Sequence, residues 1–167
     1  YIKGKKVASR SFRIGSVRVL ENHDSPEIWA DMQAWLKENV KRNYGKITAV
    51  GTGGNISKIY ELAQPKAGKS ITIRKMKNIR EMVSGMDMDT RIYKLQMNPD
   101  RADVIVPASD IYIRAMEWAG SSQMIVPEVG LKDGIIYHLF QKNTKRKNIR
   151  FVNTRDQGQG KKTTKVA

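Results

Sequence analysis

The sequence predicts an α/β domain, because short apolar segments typical of strands alternate along the chain with segments that have helical spacing. A strand at Lys46–Val50 is followed at once by a glycine-rich turn and by a helix at Ile56–Ala63. Near the end of the chain, Ser122–Val126 has the character of a buried strand and Leu131–Phe140 that of a helix. This alternation predicts a sheet whose strands are covered by helices.

Two longer helices carry clear start signals. Ser25-Pro26-Glu27 suits a helix N-terminus, since serine can cap it, proline fits the first turn and glutamate complements the helix dipole. We expect that helix to end at Tyr44-Gly45. Asn98-Pro99-Asp100 opens a second helix, Arg101–Ala119, which is long and apolar and which Gly120 ends.

The remaining predicted elements are short. The sequence Lys3-Gly4-Lys5 predicts a tight turn that leads into a strand at Lys6–Gly15. Tyr1-Ile2 are typical of the end of an earlier strand, so we expect the sheet to lack a strand and to leave backbone groups for pairing with another chain, as in a homodimer. One more strand and two helices are predicted at Ile71–Ile73, Lys75–Ser84 and Thr90–Gln96.

Composition excludes several kinds of site. The chain contains no cysteine, which rules out disulfides, thiolate metal sites and cysteine nucleophiles. Its two histidines, His23 and His138, are too few for a histidine-rich metal site. No apolar run approaches the roughly 18 residues that span a bilayer, so we expect no membrane partner and a cytoplasmic location.

Positive charge is the most unusual property of the chain. The sequence has 31 Lys and Arg against 16 Asp and Glu, a net charge of +15. Residues 141–167 hold nine basic side chains and one acid, Asp156, which is +8 of that total. An anionic partner is therefore expected, and a basic tail of this kind favours non-specific binding of polyanions through residues such as Lys145, Arg146, Lys147 and Arg150. A tail that is merely solvated is the alternative.

The glycine-rich turn Gly51-Thr52-Gly53-Gly54-Asn55 lies between a predicted strand and a predicted helix. That order places backbone N–H groups at a helix N-terminus, where an anion can bind, and glycine lets a phosphate approach the main chain closely. No Gly-Lys-Ser/Thr closes the turn, so it is not a Walker A loop. A tight turn without a ligand explains the pattern equally well.

Four segments carry a more specific pattern. Ser11–Val19 is SFRIGSVRV, Val50–Asn55 is VGTGGN, Asn98–Pro107 is NPDRADVIVP and Val129–Gly134 is VGLKDG. They are similar to the patterns "SlplGavRl", "vGvGGT", "dRADvIlpG" and "GGLREG" of one known family. In this order and spacing, the four segments resemble the exopolyphosphatase/guanosine-pentaphosphate phosphohydrolase family (Ppx/GppA). The resemblance covers residues 1 to about 140.

The resemblance implies an RNase H-like lobe of the actin/Hsp70/sugar-kinase fold, with a mixed sheet flanked by helices. Residues 1–140 would be the second lobe, truncated at its N-terminus, and residues 141–167 a basic tail. Family members hydrolyse phosphoanhydride bonds of polyphosphate or guanosine pentaphosphate with Mg²⁺ and a glutamate that orients water. The resemblance places that glutamate and the metal ligands in a first lobe before residue 1, so it implies no catalytic or metal-binding residue here and an inactive fragment.

The resemblance also implies which residues bind phosphate. These are the glycine-rich loop, Gly51, Thr52, Gly53, Gly54 and Asn55, together with Arg101. For Arg101 the alternative is a surface arginine paired with Asp100 or Asp103. The family's threonine is replaced by Asn55, its Arg-Glu by Lys132-Asp133 and its Ser-Asp-Gly by Pro127-Glu128-Val129.

Two other functions stay open at this point. The first is a lobe of a sugar or acetate kinase on the same fold, which would need an adenosine-binding glycine motif. The Arg101–Pro107 segment argues against this kinase interpretation. The second is a basic module that binds nucleic acid or another polyanion through the tail. Against that module, Phe151 is the single aromatic residue among residues 141–167.

Overall fold

One long helix organises the first of the two units into which the chain divides, Tyr1–Gly130 and Leu131–Ala167. The computed structural model describes residues 1–2, 4–40, 45–63 and 70–144. The elements of the first unit are, in chain order, α1 (Ser16–Leu20), α2 (Pro26–Asn39), β1 (Ala49–Val50), α3 (Gly54–Ala63), β2 (Ser70–Thr72), α4 (Ile73–Ser84), a π-helical turn (Thr90–Lys94), α5 (Pro99–Ala119) and β3 (Gln123–Ile125).

The sheet of the first unit is small and mixed, with the strand order β1-β3-β2. β3 is parallel to β1, with Ala49 opposite Met124, and antiparallel to β2, with Ile71 opposite Met124. Met124 and Ile71 are buried. The hydroxyl of Ser121 accepts a hydrogen bond from the Ala49 N–H at 3.1 Å, which ties the start of β1 to the segment before β3. A mixed α/β arrangement is therefore confirmed.

Helix α5 packs against α1, α2, α3 and α4. Its first turn is capped by Asn98, whose side-chain oxygen accepts a hydrogen bond from the Arg101 N–H at 3.0 Å. Gly120, with a φ of 67°, ends it in the left-handed conformation. Apolar residues recur along its buried side at helical spacing, at Ala102, Ile105, Ala108, Ile113 and Met116. The long helix is thus confirmed together with both of its predicted ends.

Charged side chains fix α4 against α5. The Arg80 guanidinium donates two hydrogen bonds to the Asp110 carboxylate, at 2.9 and 3.1 Å, and this pairing raises the pKa of Arg80 further. Lys77 pairs with Glu117 at 2.5 Å, farther along the same two helices. The π-helical turn is held by Arg91, whose guanidinium donates to the backbone oxygens of Val83 in α4 and Ala102 in α5 at 3.1 and 2.9 Å.

The predicted strand at Lys6–Gly15 is wrong. That segment has no strand partner among the described residues, and its side chains attach it to α2 instead. Phe12 packs edge-on against Trp35, with ring centroids 5.8 Å apart, and Arg10 pairs with Asp31 at 2.6 Å. Alternating apolar residues form a strand only where a neighbouring backbone can accept their hydrogen bonds.

The preceding turn is confirmed in its described residues. Ile2 and Lys5 exchange backbone hydrogen bonds of 2.9 and 3.0 Å, and Gly4 has a φ of 75°. The structure also contains α1, which the sequence did not predict, directly after the segment expected to be a strand.

Helix α2 begins where predicted but differs in detail. The Ser25 side chain makes no capping hydrogen bond to the helix, and its interaction with the Glu27 carboxylate lowers the pKa of that carboxyl. The helix ends at Asn39, before the predicted end at Tyr44-Gly45, and residues 41–44 lie outside the described residues.

The described part of the second unit is one helix, α6 (Leu131–Thr144), longer than the predicted Leu131–Phe140. Several of its apolar side chains are exposed, at Leu131, Ile135, Ile136 and Leu139. Across the described ranges, no helix combines the length and apolar character that crossing a membrane requires.

Two glycines at helix C-termini give opposite predictions. Gly120 has a φ of 67°, which an alanine adopts only at a cost, so Gly120→Ala should lower the free energy of unfolding by about 1 kcal/mol. Gly85 at the end of α4 has a φ of −79°, and an added Cβ atom would make only ordinary van der Waals contact, 3.8 Å from the Met82 oxygen. Gly85→Ala should therefore raise the free energy of unfolding by about 0.5 kcal/mol. Urea denaturation of the two variants measures both values, and a loss of stability in both would contradict the assignment of Gly120 to a left-handed cap.

Candidate phosphate-binding loop

The loop between β1 and α3 starts at a glycine that the packing requires. The N–H of Gly51 donates to the Ile125 oxygen at 2.9 Å, which continues the pairing of β1 with β3. A Cβ atom at Gly51 would collide with the Met124 sulfur and lie 3.0 Å from the Cγ1 of Ile56. Gly51 therefore lets the start of α3 approach the sheet closely.

Gly53 stands at the N-cap position of α3. Its φ of 114° is a conformation that residues with a Cβ rarely adopt, and its carbonyl oxygen accepts hydrogen bonds from the Ser57 N–H at 3.1 Å and the Ser57 hydroxyl at 2.9 Å. In the part of the chain that the structure describes, no acceptor takes the N–H groups of Gly54 and Asn55. These two donors remain for a ligand or water.

Arg101 reaches this loop from the first turn of α5. A Cβ atom built on Gly54 would lie 2.8 Å from Nη2 and 3.6 Å from Cζ of Arg101, so the guanidinium lies directly beside the first residue of α3. Neither Asp100 nor Asp103 pairs with Arg101 among the described residues. The structure thus brings together the loop and the arginine that the sequence analysis grouped, and the surface ion pair considered as an alternative is not formed.

The other predicted site residues fall in two groups. Thr52 is exposed and Asn55 half-buried, both within the loop itself. The basic tail residues lie outside the described residues, and they are Lys145, Arg146, Lys147 and Arg150.

Two residues beside the loop were missed by the sequence analysis. Tyr112 on α5 packs against the hydrophobic core, where burial of the ring raises the pKa of Tyr112. Lys58, one turn after Gly54 on α3, is 5% exposed and donates to the Glu61 carboxylate at 2.7 Å. Arg101 and Tyr112 are eleven residues apart, a spacing that places both on one face of a helix. This spacing was the sequence signal that could have identified the tyrosine.

The loop Gly51–Asn55 contains no carboxylate side chain. In the described ranges, no group of three His, Asp or Glu side chains lies close enough together to hold a metal ion. The loop and Arg101 supply N–H donors and a positive charge, which suit an anion and repel a cation.

A strand, a glycine-rich turn and a helix with a guanidinium beside its N-terminus form the kind of anion site that α/β phosphate-binding proteins use. The model of the Ppx/GppA phosphatase family matches residues 3–143. The chain therefore belongs to the Ppx/GppA family, as the four sequence segments indicated.

Solved structures show the same fold. A Ppx/GppA family member from Aquifex aeolicus is 24% identical, with a TM-score of 0.63 over 84% of this chain and 51% of that protein. An exopolyphosphatase from Cytophaga hutchinsonii is 19% identical, with a TM-score of 0.61 over 84% of this chain and 52% of that protein. This chain thus spans about half the length of these structures. A comparison with curated protein sequences found no match.

Glycine substitutions in the loop separate packing from ligand contact. Gly51→Ala should lower the free energy of unfolding by about 1–3 kcal/mol, because the added methyl group collides with the buried Met124. Gly54→Ala should leave the free energy of unfolding nearly unchanged, since the added methyl group meets only the end of the long Arg101 side chain. Thermal unfolding of both variants checks this, and equal destabilisation would refute the close approach at Gly51.

Proposed function

We propose that this chain is part of a phosphohydrolase that cleaves phosphoanhydride bonds of polyphosphate or guanosine pentaphosphate by metal-assisted attack of water. In this proposal residues 1–140 are the second, RNase H-like lobe of an actin/Hsp70/sugar-kinase type of fold. Family membership and the match to about half of each solved relative support it.

The position of the Arg101 guanidinium beside Gly54 is the observation that carries the proposal. Two backbone donors, the N–H groups of Gly54 and Asn55, begin the helix at the same place. A phosphoryl group carries its negative charge on several oxygens, and N–H groups together with a guanidinium can contact more than one of them. The loop and Arg101 therefore bind and orient a phosphate of the substrate.

Such contacts also favour the reaction itself. Charge on the phosphoryl oxygens is stabilised in the transition state by donors that are already in position. In this proposal, the magnesium ion and the glutamate that orients water belong to the lobe that corresponds to the other half of the solved relatives, which this chain does not match. When bound there, the metal neutralises phosphate charge.

The basic tail has a separate proposed role. Residues 141–167 hold nine basic side chains and one acid, so they bind long polyanions non-specifically with a strong dependence on salt. Polyphosphate is such a polyanion, and a tail of this kind favours a polymeric substrate over a nucleotide.

Phosphate titration followed by amide NMR tests the loop. Addition of inorganic phosphate should shift the amide signals of Gly54 and Asn55, and Arg101→Lys should weaken the fitted affinity about five- to tenfold because lysine lacks the planar pair of donors. Arg74→Lys is the matched control, since Arg74 is exposed on α4, and it should leave the affinity unchanged. Shifts confined to the tail would refute phosphate binding by the loop.

The 167-residue chain alone should show no appreciable hydrolysis of polyphosphate with Mg²⁺. Positioning from one side cannot assemble the reacting geometry when the water-orienting group is absent. Release of phosphate is measured against a full-length relative under the same conditions. Comparable turnover by the two proteins would contradict the division of the machinery between two lobes.

A further inference from the structure

Positive charge in the part of the chain before the tail is concentrated in one segment. Residues 62–80 hold six Lys and Arg side chains and no acid, so their net charge is +6. The tail, residues 141–167, carries +8 of the total of +15, which leaves +7 for residues 1–140. Nearly all the net positive charge before the tail therefore comes from this one segment.

The basic side chains that the structure describes in this segment fall into two groups. Lys77 and Arg80 form ion pairs with acids of α5. Arg74 and Lys75 are exposed and pair with no acid among the described residues. Both lie in the first turn of α4, which holds no acid and where the helix dipole disfavours positive charge. These two cations therefore do not stabilise the helix that carries them.

Chain topology brings a third basic residue, Lys46, to the same edge of the sheet. β1 and β3 are parallel, so both begin at one edge, and the glycine-rich loop lies at the other. The Ser121 hydroxyl accepts the Ala49 N–H at 3.1 Å, which joins the segments before the two strands. The Ile73 N–H donates to the Ser122 oxygen at 3.0 Å, so α4 begins at this edge as well. Lys46 is exposed there and has no acid partner in the described ranges.

We propose that Lys46, Arg74 and Lys75, here called the basic edge, bind a long polyphosphate chain at the end of the sheet opposite the glycine-rich loop. Exposed cations hold a single phosphate ion only weakly in water, whereas a polyanion contacts several of them at once and releases counterions. The identity of the polymer rests on the proposed function, whereas the charge of the basic edge does not.

The composition of this surface favours a phosphate polymer over a nucleic acid. Proteins that bind single-stranded nucleic acids combine basic side chains with aromatic ones, on which the bases stack. Residues 62–80 contain no aromatic side chain, and neither do residues 45–50 and 120–125, which precede and form the strands at this edge. An anionic chain without bases is therefore the partner that the basic edge fits.

Replacement of the basic edge by glutamine tests the proposal in the full 167-residue chain, with long-chain polyphosphate as the probe. Lys46→Gln/Arg74→Gln/Lys75→Gln should bind polyphosphate about tenfold more weakly. The slope of log affinity against log salt should become shallower by about two, because three contacts are lost. The midpoint of thermal unfolding should not fall, since two of the substitutions remove positive charge from the start of a helix.

Arg18→Gln/Lys37→Gln/Lys94→Gln is the matched control. It removes the same charge from exposed positions on α1, α2 and the π-helical turn. Because salt screens charges that do not contact the polymer, its affinity should fall by less than about threefold. The tail is identical in both variants and contributes equally to both. The Arg74→Lys control of the phosphate titration keeps the charge of the basic edge.

Two results would overturn the proposal. Equal weakening by both variants would show that binding follows net charge rather than the basic edge. A single-stranded oligonucleotide of equal charge that binds as tightly as polyphosphate, and that the edge variant also loses, would show that nucleic acid is the partner. Weaker polyphosphate binding by the edge variant, in a protein whose loop amides do not respond to phosphate, would instead support the basic edge and refute the proposed function.

Discussion

The burial of one side of α5 is the interaction on which the rest of the first unit depends. Ile105 and Met116 are each only 1% exposed, and burying side chains of this size contributes about 1.5–3 kcal/mol apiece. The helices packed around α5 include α3, which starts at the glycine-rich loop. Because Arg101 projects from α5 to the first residue of α3, the same packing that stabilises the unit also sets the geometry of the loop.

The small sheet has a more limited role. Its three strands have two or three residues each, too few to be stable without the helices. Its contribution to the site is local: Met124 of β3 fills the space beside Gly51, and the Ile125 oxygen holds the Gly51 N–H. The sheet therefore fixes where the loop begins, whereas α5 fixes how the loop is held.

Charge in this unit is used for two purposes. Arg80 and Lys77 pair with acids of α5 and join two helices, and Arg91 donates to backbone oxygens. Arg101 differs from them, since no acid pairs with it in the described part of the chain. An arginine held beside two open N–H groups without a counter-ion is suited to an external anion, which distinguishes it from the arginines that stabilise the fold.

The sequence by itself determined the elements whose signals are local. Asn98, Pro99 and Gly120 mark the ends of α5 because capping and the left-handed conformation depend on neighbouring residues only. The glycine-rich turn and the family were readable for the same reason, as contiguous motifs.

Tertiary structure decided what depends on distant partners. The segment at Lys6–Gly15 has the alternation of a strand but packs on α2, because no neighbouring backbone in the described residues pairs with it. The contact of Arg101 with Gly54 likewise exists only because packing places α5 beside that turn, forty-seven residues away along the chain.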